Sequence, residues 1–163
     1  MQRTLMIGAL LILITSCSSS FLTTSKKLST LQNDKGGPYK ALTFHEVRKK
    51  LHEKSLHPLV NDKTDTLFLL EQYVLEDGVY YGTLWNNRDT LVYTYSQTNN
   101  EFQFPKSKVF PKLLLNLIAS WDTATIRKLE MGSDLVNKHL LYGSRIINRE
   151  INTMQFKEFF INE

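Results

Sequence analysis

Residues 66–96 read TLFLLEQYVLEDGVYYGTLWNNRDTLVYTYS, and their pattern predicts the central sheet of the protein. This stretch is rich in β-branched and aromatic residues, which favour strands, and in leucine, which adds to its apolar character. The turn formers Asp77-Gly78 and Asn86–Asp89 interrupt it twice, a pattern typical of an antiparallel meander. The predicted strands are Thr66–Glu76, Val79–Trp85 and Thr90–Ser96.

The turns also predict how these strands pair. If Asp77-Gly78 is a two-residue hairpin turn, Tyr73 lies opposite Gly82. The second turn places Gly82 opposite Tyr93. We therefore expect the three residues side by side on one face, with the tyrosine rings covering the bare backbone of the glycine.

The meander has two predicted faces, because side chains alternate along a strand. The more apolar face, expected to meet the core, carries Leu67, Leu69, Tyr73, Leu75, Tyr80, Gly82, Leu84, Leu91, Tyr93 and Tyr95. The other face, expected to be half covered, carries Phe68, Leu70, Gln72, Val74, Tyr81, Thr83, Trp85, Val92 and Thr94. Glu71 falls among the core-facing residues, so we expect it near the rim of the sheet.

A helix is predicted before the meander. Thr43 and Glu46 have the spacing of a capping box, and apolar residues follow at helical spacing. Pro58 ends this helix by about residue 57. The residues expected to face solvent are Arg48, Lys49, Lys50 and Lys54.

The segment after the meander completes the fold class. An apolar stripe after Pro111 predicts another helix, and His139–Ile147 predicts a strand. Ile151–Ile161 fits either a strand or a helix. The prediction is an α+β fold, with a small antiparallel sheet built on the three-stranded meander and two to three helices packed on one face.

Composition sets the outer bounds. The chain has 163 residues, 42% hydrophobic and 22% charged, which is ordinary for one globular domain. Its single cysteine excludes an intrachain disulfide and a multi-cysteine zinc site.

The first residues carry an export pattern. Arg3 precedes ten apolar or small residues, Leu5–Ile14, and Thr15 and Ser16 lead into the lone Cys17. This apolar run is shorter than the roughly 20 residues that span a bilayer. Its length is that of the apolar core of a secretory signal peptide.

Ile14-Thr15-Ser16-Cys17 resembles the lipobox of bacterial lipoproteins. In that family a diacylglycerol is attached to the cysteine thiol, the signal peptide is cleaved just before the cysteine, and the new amine is often acylated too. Leucine is usual three residues before the cysteine, and Ile14 departs from it. The resemblance covers residues 1–17 only. It implies a signal peptide over residues 1–16 and a lipid, palmitate included, on Cys17.

The residues that follow predict a spacer. Residues 17–38 are dominated by Ser, Thr, Lys and Gly, which predicts a lipidated flexible tether about 25 Å long as a coil. Residues 39–163 are the predicted globular domain. Ser18 in place of Asp resembles outer-membrane sorting, and the serine-rich stretch resembles lipoproteins of the Bacteroidetes. Since Ser18–Lys27 holds no acidic residue, that resemblance implies the periplasmic face.

The sequence matches known metal-binding, catalytic and phosphate-binding motifs only weakly. His52 and His57 lie five residues apart, whereas the zincin helix needs four, so a metal site is not predicted. A Gly-x-Ser-x-Gly elbow and a glycine-rich phosphate loop are absent from the sequence. Asp134, His139 and Ser144 are close in sequence, but nothing singles them out as a triad. We predict no catalytic residue and no cofactor.

The predicted function is a membrane-anchored envelope lipoprotein that binds or scaffolds another component without being an enzyme. A small cell-envelope hydrolase or modifying enzyme is the alternative. The predicted partners are the bilayer, through Cys17, and an envelope protein or glycan. Tyr81 and Trp85 are the candidate partner-binding residues, since exposed aromatics stack on sugars and anchor proteins; core packing is their other reading. After residue 16 the net charge is only +3, too weak to indicate nucleic-acid binding.

Overall fold

A computed structural model describes residues 19–34, 41–61, 65–106, 110–125, 139–148 and 150–156. The helices are α1 (Ser19–Leu31), α2 (Phe44–Lys54), α3 (Pro58–Asn61) and α4 (Lys112–Ser120). The strands are β1 (Thr66–Val74), β2 (Val79–Trp85), β3 (Thr90–Ser96), β4 (Glu101–Gln103), β5 (His139–Ile147) and β6 (Glu150–Phe156). They form one antiparallel sheet in the order β4-β3-β2-β1-β5-β6, which confirms the predicted α+β class.

The two faces of the sheet carry separate cores. Helices α1, α2 and α3 cover the first face, whose buried strand residues are Leu67, Leu69, Tyr73, Tyr80, Leu84, Leu91, Tyr93, Tyr95, Tyr142 and Ile146. Helix α4 packs on the second face with Leu70, Leu141 and Phe156, and Phe68, Tyr81 and Trp85 lie half-buried around this smaller core. The predicted face assignment of the meander is therefore confirmed.

The predicted pairing of β1 with β2 is wrong by two residues. Gly82 lies opposite Tyr93 as expected, but on its other side it faces Glu71, while Tyr73 faces Tyr80. The turn holds four residues, Leu75 to Gly78, and Gly78 has the positive φ of 62° that glycine tolerates. A shift of two residues keeps every side chain on its predicted face, so the hydrophobic pattern could not exclude it.

Two charged residues lie where the sequence did not predict them. Glu71 was expected at the rim and Arg48 in solvent, and both are fully buried. They form an ion pair between α2 and β1, with 2.8 Å between Arg48 Nη2 and Glu71 Oε2. Each supplies the opposite charge that the other needs to be buried.

Helix α1 replaces most of the predicted tether. Phe21 and Leu28 are seven residues apart, so they share one helical face, and both are buried. Ser25 lies between them on that face and is buried as well. The expectation of a flexible coil is therefore wrong for α1. Its serine-rich composition suggested a coil, but its few apolar residues have the spacing of an amphipathic helix. The other residues of 17–38, apart from 32–34, lie outside the described residues.

The remaining element predictions fare better. The capping box of Thr43 and Glu46 is present at the start of α2. Helix α4 begins after Pro111, and β5 spans the predicted His139–Ile147. In the ambiguous last segment, strand β6 extends to Phe156, and residues 157–161 lie outside the described part of the chain.

Candidate functional site

The first candidate is the buried ion pair on the first face. Arg48 Nε donates to Glu71 Oε1 at 2.9 Å, and Nη2 donates to Oε2 at 2.8 Å. The Tyr93 hydroxyl donates to the same Oε1 at 3.0 Å. Burial, and then the charge of Glu71, raise the pKa of Tyr93 well above its usual value, so the hydroxyl keeps its proton and remains a donor.

The same arginine holds helix α1. Arg48 Nη1 donates to the carbonyl oxygen of Ser25 at 3.1 Å and to its Oγ at 3.3 Å, and Nη2 donates to Gln32 Oε1 at 2.9 Å. All five N–H groups of the guanidinium therefore have acceptors. Burial alone would lower the pKa of Arg48, but the charge and hydrogen bonds of Glu71 outweigh it and raise the pKa.

A fully paired and buried group of this kind serves structure. It has no exposed atom for a substrate to reach, since the side chains of Arg48 and Glu71 are 0% and 1% exposed. Gln32 continues the network to Ser144 Oγ at 3.4 Å, and that hydroxyl lies 2.9 Å from Thr153 Oγ1. The network therefore connects α1 to α2 and to strands β1, β3, β5 and β6.

The second candidate lies on the opposite face of the sheet. Four residues stand side by side across four strands: Trp85 on β2, Phe68 on β1, Arg145 on β5 and Asn152 on β6. Directly opposed residues on antiparallel strands share a face and lie within contact distance. The Trp85 and Phe68 rings stack with their centroids 5.5 Å apart. All four side chains are half-buried, so they form a recessed row rather than a protruding patch.

Trp121 covers the arginine of this row. It follows the last residue of α4 and ends that helix in a left-handed conformation, with a φ of 54°. A bulky residue there is unusual and costs about 1–3 kcal/mol. The guanidinium carbon of Arg145 lies 5.3 Å from the centroid of the Trp121 ring, which is a cation–π distance. We call these five residues (Trp85, Phe68, Arg145, Asn152 and Trp121) the arginine row.

Arg145 has no polar partner within the described part of the chain. It forms neither a hydrogen bond nor an ion pair, and its Nε is shielded from water. Glu150, on the same face of β6, instead accepts a hydrogen bond from Asn152 Nδ2 at 3.4 Å. A buried donor without an acceptor costs about 1–3 kcal/mol, and more when it is charged. In the arginine row, the guanidinium of Arg145 is therefore a strong donor for which the described residues supply no acceptor.

The predicted partner-binding residues occupy two different settings. Trp85 belongs to the arginine row, whereas Tyr81 lies two cross-strand rows away, opposite Gln72. Between them on β2 lies Thr83, which is fully buried and whose Oγ1 has no hydrogen-bond partner in the described part of the chain. Burial, and then the charge of Asp77, raise the pKa of Tyr81. Partner binding by Tyr81 and Trp85 stays a prediction, and the lipidation site Cys17 lies outside the described residues.

Sequence reasoning missed the other members of the row. Arg145 offered one signal, since it is the lysine- or arginine-type charge in the mostly apolar run Leu140–Ile147. Its neighbours could not be found in the same way. Phe68 and Asn152 come next to it only through the pairing of β5 with β1 and β6, which joins distant parts of the chain.

The remaining chemical constellations do not assemble in the described residues. Ser144 is buried and hydrogen-bonded as described above, and neither Asp134 nor the side chain of His139 is among the described groups. His52 stacks on Phe21 with a centroid distance of 6.2 Å. No cluster of three His, Cys, Asp or Glu side chains suited to a metal ion occurs in the described ranges. None of the helices described is long and apolar enough to cross a membrane.

Comparison with protein-family models, with curated proteins and with solved structures found no match for this chain.

Proposed function

We propose that this chain is a membrane-anchored lipoprotein of the bacterial envelope, held by acylated Cys17 and acting by binding or scaffolding another envelope component. The outer membrane, with the domain facing the periplasm, is its proposed location. The observation that carries the proposal is the lipobox-like stretch Ile14–Cys17 placed directly before a helix that is packed into the domain. An anchor at this place would be coupled to a rigid element.

The geometry of α1 supports a domain held close to the membrane. Ser19, the first residue of α1, follows Cys17 by two residues, a reach of about 7 Å. Helices α1 and α2 are antiparallel, because Phe21 stacks on His52 at one end and the Phe44 N–H donates to Asp34 Oδ2 at the other. The start of α1 therefore lies at the same end of the domain as the end of α2.

That end also presents an exposed apolar side chain. Leu56 lies two residues after the end of α2 and is 96% exposed, and Lys54, the last residue of α2, is exposed as well. An exposed leucine with a lysine two residues before it suits the boundary between acyl chains and anionic headgroups. We assign this end of the domain to the bilayer side, and we assign partner binding to the half-buried residues at the edge of the second core.

The anchor is tested by mass spectrometry of the protein extracted from membranes. The expected result is an N-terminal lipopeptide that begins at Cys17. Cys17→Ser should move the protein out of the membrane fraction without changing its urea unfolding midpoint, and Ser18→Ala, the neighbouring control, should stay in the membrane. An unmodified Cys17 thiol in a chain that still begins at Met1 would contradict the proposal.

The binding role is tested by capture of partners from detergent-solubilised envelopes. Trp85→Ala should weaken a captured complex by about 2 kcal/mol or more if this aromatic is an anchor. Phe104→Ala is the matched control, because Phe104 is a 47% exposed aromatic side chain that stacks on Phe102 at the edge of the first core. Equal capture by both variants would remove Trp85 from the proposed interface.

A further inference from the structure

The arginine row has the composition of a ligand site. Arg145 offers a guanidinium with no hydrogen bond and no ion pair among the described residues, and the Trp121 ring lies over it. The row continues on one side with the Phe68–Trp85 stack and on the other with the amide of Asn152. It therefore joins one unused cation to an apolar strip.

We propose that the arginine row binds the oxyanion of a ligand, a carboxylate or a phosphate, whose apolar or planar body lies along Phe68 and Trp85. This rests on the proposed function as a binding domain and names the chemistry of what is bound. A planar guanidinium donates two parallel hydrogen bonds to a carboxylate or a phosphate, which accounts for the choice of anion.

Trp121 positions the arginine for this task. Its ring lies 5.3 Å from the guanidinium carbon and restricts how the side chain can turn, so less freedom is lost when an anion binds. The left-handed backbone of Trp121 places the ring there at the end of α4. A strained backbone of this kind is typical of binding and switch sites.

The apolar part of the ligand follows from the other half of the row. Phe68 and Trp85 are half-buried and stacked, and they adjoin Arg145 directly across the strands. An oxyanion on a bare polar molecule would use the arginine alone. One attached to a ring or a short apolar chain would also cover these two faces, and it should bind more tightly.

Both tryptophans of the chain belong to the row, so intrinsic fluorescence reports on it directly. The full chain in a non-ionic detergent is titrated with inorganic phosphate, acetate, phenyl phosphate and phenylacetate, against chloride at the same ionic strength. We expect a saturable change in emission with the two phenyl compounds at lower concentration than with phosphate or acetate. A response to all four no different from that to chloride would overturn the proposal.

Variants identify the arginine as the receptor. Arg145→Gln should weaken binding of the phenyl compounds about tenfold or more, because a charge-assisted pair of hydrogen bonds is lost. Arg145→Lys should recover part of the affinity. Lys112→Gln is the matched control, because it removes one exposed positive charge at the far end of α4 and should bind like the wild type. Equal binding by Arg145→Gln and the wild type would also overturn the proposal.

A lipid headgroup and a soluble anion present the same chemistry, and vesicles separate them. The fluorescence change is measured with phosphatidylglycerol vesicles and with phosphatidylcholine vesicles, using wild type and Arg145→Gln. A response specific to phosphatidylglycerol that Arg145→Gln loses supports the site with a lipid as the source of the anion. A response to the soluble phenyl compounds alone supports it with a soluble source. Loss of the Cys17 lipopeptide would refute the anchor and leave these titrations unchanged.

Discussion

Two arginines, one on each face of the sheet, show opposite solutions to the same physical problem. Arg48 on the first face is fully buried, and each of its N–H groups reaches an oxygen of Glu71, Ser25 or Gln32. Arg145 on the second face is half-buried, has a shielded Nε and reaches none among the described residues. Two of its neighbours are aromatic: Phe68 lies opposite it on β1, and the Trp121 ring lies over the guanidinium.

We interpret this difference in hydrogen bonding as a difference in role: Arg48 stabilises the fold, and Arg145 is proposed to bind a ligand. Saturated polar networks make a fold unique and rigid, and Arg48 ties α1 to α2 and the sheet in this way. A buried donor without an acceptor lowers the stability of the free protein. Its presence calls for an explanation, such as a ligand or an ion that accepts its hydrogen bond. Altering one face while the other serves as the reference tests this contrast.

The largest expected effect comes from Arg48→Met. It leaves the Glu71 carboxylate buried without its cation, and breaking a buried pair in this way costs about 3–5 kcal/mol. Arg145→Met, the same change on the second face, should leave stability unchanged or raise it, because it removes a buried N–H that finds no acceptor among the residues described. The free energy of unfolding in urea measures both variants.

The double variant Arg48→Met/Glu71→Leu completes this test. Replacing both charges by apolar side chains should recover most of the stability that Arg48→Met loses. Equal losses for Arg48→Met and Arg145→Met would contradict the contrast between the two arginines.

The next effect concerns helix α1 as part of the domain. Leu28 is fully buried in the first core, so Leu28→Ala should cost about 2–5 kcal/mol. Leu113→Ala on α4 is the control, because Leu113 is 73% exposed and its truncation should be close to neutral. If Leu28→Ala unfolds at the same urea concentration as the wild type, α1 would be a tether after all.

The sequence predicted the faces of the meander but not their full pairing. Alternation has a period of two, so the core side of Leu69 and Tyr93 could be assigned without knowing which residues are opposed. The turn around Gly78 decides the pairing, and two-residue and four-residue turns place the same side chains inward. The turn in the structure has four residues. Glu71 therefore lies opposite Gly82, where its carboxylate accepts hydrogen bonds from Tyr93 and Arg48.

Long-range partners were beyond single-sequence reasoning for the same physical reason. A charged residue in a helix is exposed unless something distant pairs with it, and Arg48 pairs with a residue 23 positions away on a different element. The arginine row likewise depends on β5 returning to lie between β1 and β6. Of that row, Trp85 alone was a sequence candidate, as an aromatic on a predicted sheet face.

A third prediction probes the contact that orients Glu71. The Tyr93 ring covers Gly82, and a Cβ added there would lie 2.1 Å from Tyr93 Cε1. Because Tyr93 is fully buried and bonded to Glu71, it cannot swing away, and Gly82→Ala should cost about 1–3 kcal/mol. Thr83→Val, at the adjacent residue on the second face, replaces a hydroxyl for which the described residues supply no partner, and it should be neutral or stabilising. Unfolding in urea compares them, and a greater loss for Thr83→Val would reverse the expected ranking.

The smallest expected effect is a pH dependence at the edge of the Arg48 network. His45 Nδ1 lies 3.0 Å from Ser25 Oγ, which also accepts from Arg48. Partial burial, and then the charges of Arg48 and Lys26, lower the pKa of His45 below 6.5, and Glu46 opposes them more weakly. A histidine with a lowered pKa in the folded state takes up its proton more readily when unfolded.

Its contribution is therefore fully present above its unfolded pKa and declines as the pH falls through the lowered folded value. The free energy of unfolding should fall between about pH 7.5 and about pH 5.5 by more in the wild type than in His45→Asn, whose amide can still reach Ser25. Leu113→Ala is again the control, because it removes an exposed side chain without a titratable group on the other face of the sheet and should keep the wild-type slope. If the free energy of unfolding depends on pH equally in the wild type and in His45→Asn, this prediction is contradicted. Proton uptake by His45 would then not be coupled to the Arg48 network.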